Sequence, residues 1–391
     1  MNNIYIFTHS VSRKNGGSSS ILDLANCMSD MDLDVEVRTV LGKLDKFIYK
    51  TSNVNKKLNI KCISNTLMLE RKIGRSKKTL NKFFSAFNRP LIPKDSVIID
   101  SFGIPFDYKR KLQKNGCKIV LNHAGSVKAY ANYFMSNGYD GGNNIEKYIE
   151  HIKTYDRVLF QSESQANELD SLLGTGEKRS ILIRPSVSKN DVADCINNAK
   201  NIFKNNKINI TVVGSVQKRK GQDFLIDIVK NLDSKANDYV INVVGNVLEK
   251  EFYQGLLEEI SNNSICEKII FHGFQKDYLS YMNDSDIILQ VSKEEGVSRI
   301  LREAMALGKP IASFRLDGTS DLLEDGYDCL LAVPESVADI TSKLQQLIDS
   351  EELRLSLGQR ARLNFDRKYS YKSYSEQVKE FLNVMLGKNN I

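Results

Sequence analysis

The amino-acid sequence predicts an α/β protein made of two doubly wound, Rossmann-like domains of similar size that face each other across a cleft. Three observations carry this expectation. Short apolar runs alternate with helical patterns along the chain. A strand, a glycine turn, a helix and a second strand open the sequence, and the same order restarts near residue 208. The chain has 391 residues, more than one ordinary core organises and enough for two domains.

The elements follow in order. "NIYIF" (3–7) is a short apolar run that leads into the Gly/Ser turn "KNGGSSS" (14–20). Ile21, Leu24, Ala25 and Met28 then recur at i, i+3, i+4, i+7 spacing, which predicts an amphipathic helix. "DVEVRTV" (34–40) alternates as a strand. Further strands are predicted at "SVIIDSF" (96–102), "KIVLNHA" (118–124), "RVLFQS" (157–162) and "ILIRPS" (181–186). The second unit opens with the strand "INITVVGS" (208–215), the turn "VQKRKGQ", the helix "DFLIDIVKNL" (223–232) and the strand "YVINVVGN" (239–246). "KIIFHGF" (268–274), "DIILQVS" (286–292) and "KPIASF" (309–314) continue it. The polar stretch 184–207 reads as the join, giving domains 1–187 and 188–369. The last helix, within 370–391, has no strand after it and is expected to pack back on the first domain. The cleft lies at the C-terminal edges of the sheets, where helix N-termini direct positive dipoles at ligands.

Composition narrows the function. Apolar content of 41% and charged content of 26% are globular values. No run approaches 18 apolar residues, so no membrane-spanning helix is expected. The first residues lack a basic region and their apolar run stops at His9, which reads as a strand and not a secretion signal. Six scattered cysteines with no close pair suit a reducing, cytoplasmic setting and argue against a disulfide framework or zinc site. The net charge of +7 is uneven: residues 41–120 hold 19 Lys/Arg against 5 Asp/Glu. That region suits an anionic partner, or is simply a solvated lysine-rich surface.

The most informative stretch is "VSKEEGVSRILREAMALGKPI" (291–311). A strand ends near Ser292, Glu294 to Gly296 make a turn, and a helix is predicted from about Val297 to Leu307, stopped by Gly308 and Pro310. Val297, Ile300, Leu301 and Ala304 make its apolar stripe. Glu303 falls on the flank of that stripe, nearly in line with Gly296 two turns earlier. A carboxylate there can accept from both hydroxyls of a vicinal diol. Spacing alone equally allows Glu303 to be an exposed helical acid, and Glu295 to be a first-turn acid that complements the helix dipole.

These residues resemble the signature of retaining GT-B glycosyltransferases, in particular glycosyltransferase family 4. Glu295, Gly296, Glu303, Ala304, Met305, Ala306, Gly308 and Pro310 match its pattern, while Val297 and Ser298 replace a Phe-Gly pair and Arg299 is unusual. "VVGSVQKRKGQDFLIDIV" and "NGGSSSILDLANCM" resemble the family's two glycine-turn segments, so the likeness spans most of the chain and is weak between 41 and 115. The resemblance implies that Glu303 binds the ribose hydroxyls of a nucleotide-sugar. It implies that Glu295, Gly296, Val297 and Ser298 hold the donor sugar. Lys220, before Gly221, matches the family's diphosphate lysine; Ser215 stands at its arginine position, and Arg219 is the nearest substitute. Gly16 and Gly17 match the loop of the first domain, and His123 resembles the histidine near the donor sugar. Catalytic roles are thus expected for His123, Arg219, Lys220 and Glu295. Donor contacts are expected for Gly17, Ser215, Gly221, Gly296, Val297, Ser298, Arg299 and Glu303. The family works without a cofactor or metal, the nucleotide-sugar (a UDP-sugar above all) being a substrate.

The basic region has a further candidate. "RSKKTLNKFFSAFNRPLI" (75–92) places Leu80, Phe83, Phe84 and Phe87 on one helical face, with Lys77, Lys78 and Lys82 around it. Such a helix can lie on an anionic membrane, or pack its aromatic stripe into a core. The expected activity is transfer of a hexose-type sugar to a glycan acceptor hydroxyl, with retention, in cell-surface polysaccharide assembly on a lipid carrier at the inner membrane face. Two alternatives stay open: a GT-B nucleotide-sugar epimerase, and a basic nucleic-acid-binding protein. No nucleic-acid module is recognised, so no nucleic-acid partner is expected.

Overall fold

Every strand predicted in the first domain is present in the computed structural model. It describes residues 3–8, 16–39, 58–62, 92–101, 104, 106–123, 127, 131, 144–174, 178–187, 189–232 and 238–387. The chain divides into two units, one of Met1–Pro185 with Tyr374–Ile391, the other of Ser186–Ser373.

In the first unit the strands are β1 (Asn3–Thr8), β2 (Asp34–Thr39), β3 (Asn59–Cys62), β4 (Val97–Asp100), β5 (Lys118–Asn122), β6 (Arg157–Phe160) and β7 (Ser180–Leu182). They form a parallel sheet in the order β3-β2-β1-β4-β5-β6-β7. Helices α1 (Gly16–Asp30), α2 (Phe106–Lys114), α3 (Asn144–Ile152) and α4 (Glu163–Leu173) connect them. A parallel strand is covered on both faces, so it reads as a continuous apolar run. "VIID" of β4 is such a run, with all four residues buried. Gly16 and Gly17 are the first residues of α1 and not the turn before it. Lys77, Lys78, Lys82, Phe83, Phe84 and Phe87 lie outside the described residues, as does His9.

The second unit holds β8 (Ile208–Val213), β9 (Tyr239–Val244), β10 (Ile269–Gly273), β11 (Ile287–Gln290), β12 (Ile311–Phe314) and β13 (Leu330–Ala332). Their parallel order is β10-β9-β8-β11-β12-β13. Its helices are α5 (Lys189–Asn197), α6 (Phe224–Asn231), α7 (Lys250–Asn262), α8 (Tyr278–Asp284), α9 (Arg299–Ala306), α10 (Asp317–Ser320), α11 (Val337–Asp349) and α12 (Glu351–Lys368). Strand order reverses between β8 and β11, and such a switch point opens a crevice beyond the strands' C-terminal ends. The units divide between Pro185 and Ser186, inside the stretch 184–207 read as the join, and the rest of that stretch folds with the second unit. Val187 and Val192 are buried in one of its apolar clusters, and α5 is too short and too polar for its apolar face to show as a period.

The last helix, α13 (Tyr371–Leu386), buries Tyr374, Val378, Phe381, Leu382 and Met385 in the core of the first unit beside Ile4, Leu24 and Val37. The Gln377 side chain also accepts the Arg184 amide at 2.9 Å. No helix among the described residues is long and apolar enough to cross a membrane.

Among the described residues of the first unit, Lys109 is completely buried. The Lys109 ammonium donates to Thr154 Oγ1 at 2.7 Å and lies 3.6 Å from the centre of the Tyr155 ring. Tyr155 in turn donates to Asp100 Oδ2 at 2.7 Å. Burial pulls the Lys109 pKa down to about 8, against the opposing pull of the Asp100 charge. Between about pH 8 and pH 10.5 the unfolded chain therefore keeps a proton that the folded chain has released, so stability rises with pH in that window. Wild type should gain about 2 kcal/mol over Lys109→Met between pH 7.5 and 9.5 by urea unfolding. Parallel pH profiles for the two proteins would show that Lys109 stays charged throughout.

Candidate functional site

The site residues of the second unit converge at its switch point. On one side, β8 ends at Val213 and is followed by Gly214 and Ser215, and a 3-10 turn, Lys218–Lys220, precedes Gly221. Gly221 has φ +69°, and a Cβ there would stand 1.9 Å from the Val291 carbonyl oxygen. Only glycine fits a left-handed position pressed this closely on a neighbouring strand end. The loop is braced from within. Gln222 donates to the Ser215 carbonyl at 3.0 Å, and Gln217 donates to Ser215 Oγ at 2.7 Å. Ser215, at the position expected to hold an arginine, is thus a loop brace.

On the other side, β11 continues through Val291 and Ser292 into a loop that is tied to the turn. The Lys293 amide donates to the Arg219 carbonyl at 3.0 Å, and the Arg219 guanidinium donates to the Glu294 carbonyl at 2.8 Å. Lys293 also pairs with Asp223 at 2.8 Å. Arg219 therefore staples the two loops. Lys220 reaches between them and forms an ion pair with Glu295, both side chains being largely buried. Ser292 Oγ donates to the same Glu295 oxygen at 2.9 Å. Gly296 is backed by α10: a Cβ on Gly318 would stand 1.9 Å from the Gly296 carbonyl oxygen.

Helix α9 starts later than the sequence predicts, at Arg299, because Ser298 is its N-cap. The Ser298 hydroxyl accepts the Leu301 amide at 3.4 Å and the Gln290 side chain at 2.8 Å. Its apolar stripe is also incomplete as predicted. Val297 and Ile300 are half-buried, whereas Leu301 to Ala306 are buried all round, Arg302 and Glu303 included. Arg302 donates to the Ser186 carbonyl at 3.0 Å.

Glu303 is 1% exposed, so it is not a solvated helical acid. Its Oε1 accepts from the Tyr278 hydroxyl at 2.7 Å and from Arg299 Nε at 2.7 Å. Its Oε2 is buried and has no hydrogen-bond partner. A buried carboxylate oxygen without a donor is costly, and it marks a place where a ligand's donor would be favoured. In the first unit, His123 is buried directly after β5, its amide bonded to the Leu159 carbonyl at 2.8 Å and its ring 5.0 Å from that of Phe160. Gly17 lies in the first turn of α1.

The structure thus assembles Ser215, Arg219, Lys220, Gly221, Glu295, Gly296, Val297, Ser298, Arg299 and Glu303 within the second unit, on the loops after β8 and β11 and on α9. Sequence reasoning missed Tyr278, Ser292 and Gly318. Tyr278 sits in "QKDYLSYM", where nothing distinguishes it from a core tyrosine. Gly318 carried the one usable signal, a glycine two residues past a predicted strand and its Arg-Leu exit.

Comparisons with known proteins bear on the fold and the family. The family model for glycosyl transferases group 1 matches residues 196–364, which lie within the second unit. An uncharacterized glycosyltransferase of Methanocaldococcus jannaschii is 24% identical over 284 residues, covering 70% of this chain and 74% of its own. A poly(ribitol-phosphate) alpha-N-acetylglucosaminyltransferase of Staphylococcus aureus is 25% identical over 234 residues, 59% of this chain and 45% of its own. Among solved structures, Anabaena HepE in complex with UDP and glucose superposes with a TM-score of 0.72 at 15% identity, covering 98% of this chain and 100% of that one.

Proposed function

We propose that the chain, whose residues 196–364 match the family model for group 1 glycosyl transferases and whose fold is GT-B, uses a nucleoside-diphosphate sugar as donor, a UDP-hexose or UDP-hexosamine. The acceptor is a hydroxyl of a glycan built on a lipid carrier, as in cell-surface polysaccharide assembly. The observation that carries the donor reading is Glu303 Oε2, a buried acceptor with no donor on a helix beside a switch point. The relative that acts on poly(ribitol-phosphate) and the HepE complex with UDP and glucose support the class of acceptor and of donor.

The chemistry assigns each residue a task. Glu303 accepts from the ribose diol. Lys220 neutralises charge on the diphosphate, and this matters most as the bond between the sugar C1 and the phosphate oxygen breaks. The backbone amides at Gly296 and Val297, near the start of α9, face donor groups that carry partial negative charge. As C1 leaves the phosphate, the acceptor oxygen bonds to C1 on the same face and its proton passes to the departing phosphate oxygen. The products are a glycoside of retained configuration and UDP. No step is assigned to a cofactor.

A thermal-shift screen of UDP, GDP and ADP and their hexose conjugates tests this. A ligand present at about 100 times its Kd adds about 2.7 kcal/mol, a shift of several degrees. UDP and at least one UDP-sugar should raise the melting temperature. A flat response to every nucleotide would overturn the reading.

A further inference from the structure

We propose that Tyr278 and Arg299 are positioning residues that occupy one oxygen of Glu303, reserve the other for the ribose, and so set a preference for ribonucleotides over deoxyribonucleotides. The inference deepens the donor reading above and rests on it. Its basis is an asymmetry in the carboxylate. Two donors from different places, Tyr278 at the start of α8 and Arg299 one turn before Glu303 on α9, both converge on Oε1 at 2.7 Å. Oε2, on the same buried group, has none.

Helix stability alone does not account for the Arg299 contact. The pair runs Arg then Glu at i, i+4, the less favourable order relative to the helix dipole. What the two donors do is remove a degree of freedom. Turning the carboxylate to exchange its oxygens would break both bonds at once, so its plane is fixed before any ligand arrives. A fixed acceptor loses little order on binding. A site built around a hydroxyl also discriminates strongly against an analogue that lacks it, because its acceptor is then left unpaired. Here the acceptor is Oε2, and the discriminated feature is the sugar hydroxyl of the nucleotide.

Isothermal titration with UDP and with 2′-deoxy-UDP reads this directly, with GDP and 2′-deoxy-GDP run in parallel so that the base does not decide the result. The proteins are wild type, Tyr278→Phe, Arg299→Met and Arg299→Lys. Wild type should prefer the ribonucleotide by about 30-fold or more, consistent with a lost hydrogen bond to a charged group. Tyr278→Phe and Arg299→Met should each reduce that ratio by about fivefold, through weaker ribonucleotide binding with the deoxy form nearly unchanged. Arg299→Lys should recover part of the ratio. In turnover the same variants should raise the donor KM with kcat little changed, the mark of lost ground-state binding.

A role in general stability would instead weaken both nucleotides alike. Ratios equal to wild type in both Tyr278→Phe and Arg299→Met overturn the positioning role while leaving the donor site standing. A wild type that binds nucleotides without regard to the 2′-hydroxyl overturns the ribose role of Glu303 and this inference with it. A wild type that binds neither diphosphate overturns the donor reading itself.

Discussion

Glu303→Ala should abolish stabilisation by UDP while the protein remains folded. In wild type the carboxylate is buried, fixed on one side and open to a donor on the other. Its removal takes away the acceptor proposed for the ribose. It also leaves the Tyr278 hydroxyl and the Arg299 Nε without the partner that they share. Hydrogen bonds to a charged group contribute about 1.5–3 kcal/mol each. Losing the ribose contacts should therefore weaken UDP by about 100-fold or more. Glu303→Gln is the informative companion. It keeps an oxygen of similar shape for Tyr278 and Arg299 but removes the charge, so it should fold like wild type and bind UDP at an intermediate level. Circular dichroism and the ligand-free melting temperature separate folding from binding. If Glu303→Ala binds UDP within about twofold of wild type, the acid is a core residue and the donor lies elsewhere.

Much of the site could be read before the structure because its spacing is rigid. Glu295 and Glu303 bracket one turn and one helix, and Lys220 precedes a glycine whose φ of +69° no side chain adopts easily. The parallel strands were legible for a similar reason: "VIID" and "IILQ" are buried on both faces and carry no polar alternation. The missed strands β3 and β13 are short, and β3 is the edge strand "NIKC", whose asparagine and lysine mask any apolar run. Helix α5 failed to show because two buried residues three apart, Val192 and Cys195, are too few to set a period. On α9 the opposite occurred. Periodicity gave a stripe, but the helix is enclosed, since Arg302 and Glu303 are buried through hydrogen bonds to residues distant in sequence. Pairings across 25 or 116 positions leave no local trace, so neither Tyr278 nor Ser186 could be inferred.

The ion pair between Lys220 and Glu295 leads to the second large effect, in which the two partners respond in opposite directions. Lys220→Ala should lower kcat/KM by about a thousandfold, the scale of losing one group that stabilises transition-state charge. The same variant leaves Glu295 without its cation, so its ligand-free melting temperature should fall. Glu295→Gln leaves the lysine as the uncompensated charge instead. Removing one member of a largely buried pair typically costs about 3–5 kcal/mol, because the remaining ion has lost its partner. A diphosphate restores that partner. Glu295→Gln should therefore melt lower than wild type without ligand, show a larger UDP-induced shift, and bind UDP several-fold more tightly. Turnover should nevertheless fall, since the carboxylate expected to hold the sugar is gone and the added affinity for the leaving group favours the product. The sign of the change in UDP affinity is the test. If Glu295→Gln weakens UDP, the carboxylate contributes to the nucleotide site in its own right and Lys220 does not exchange one anion for the other.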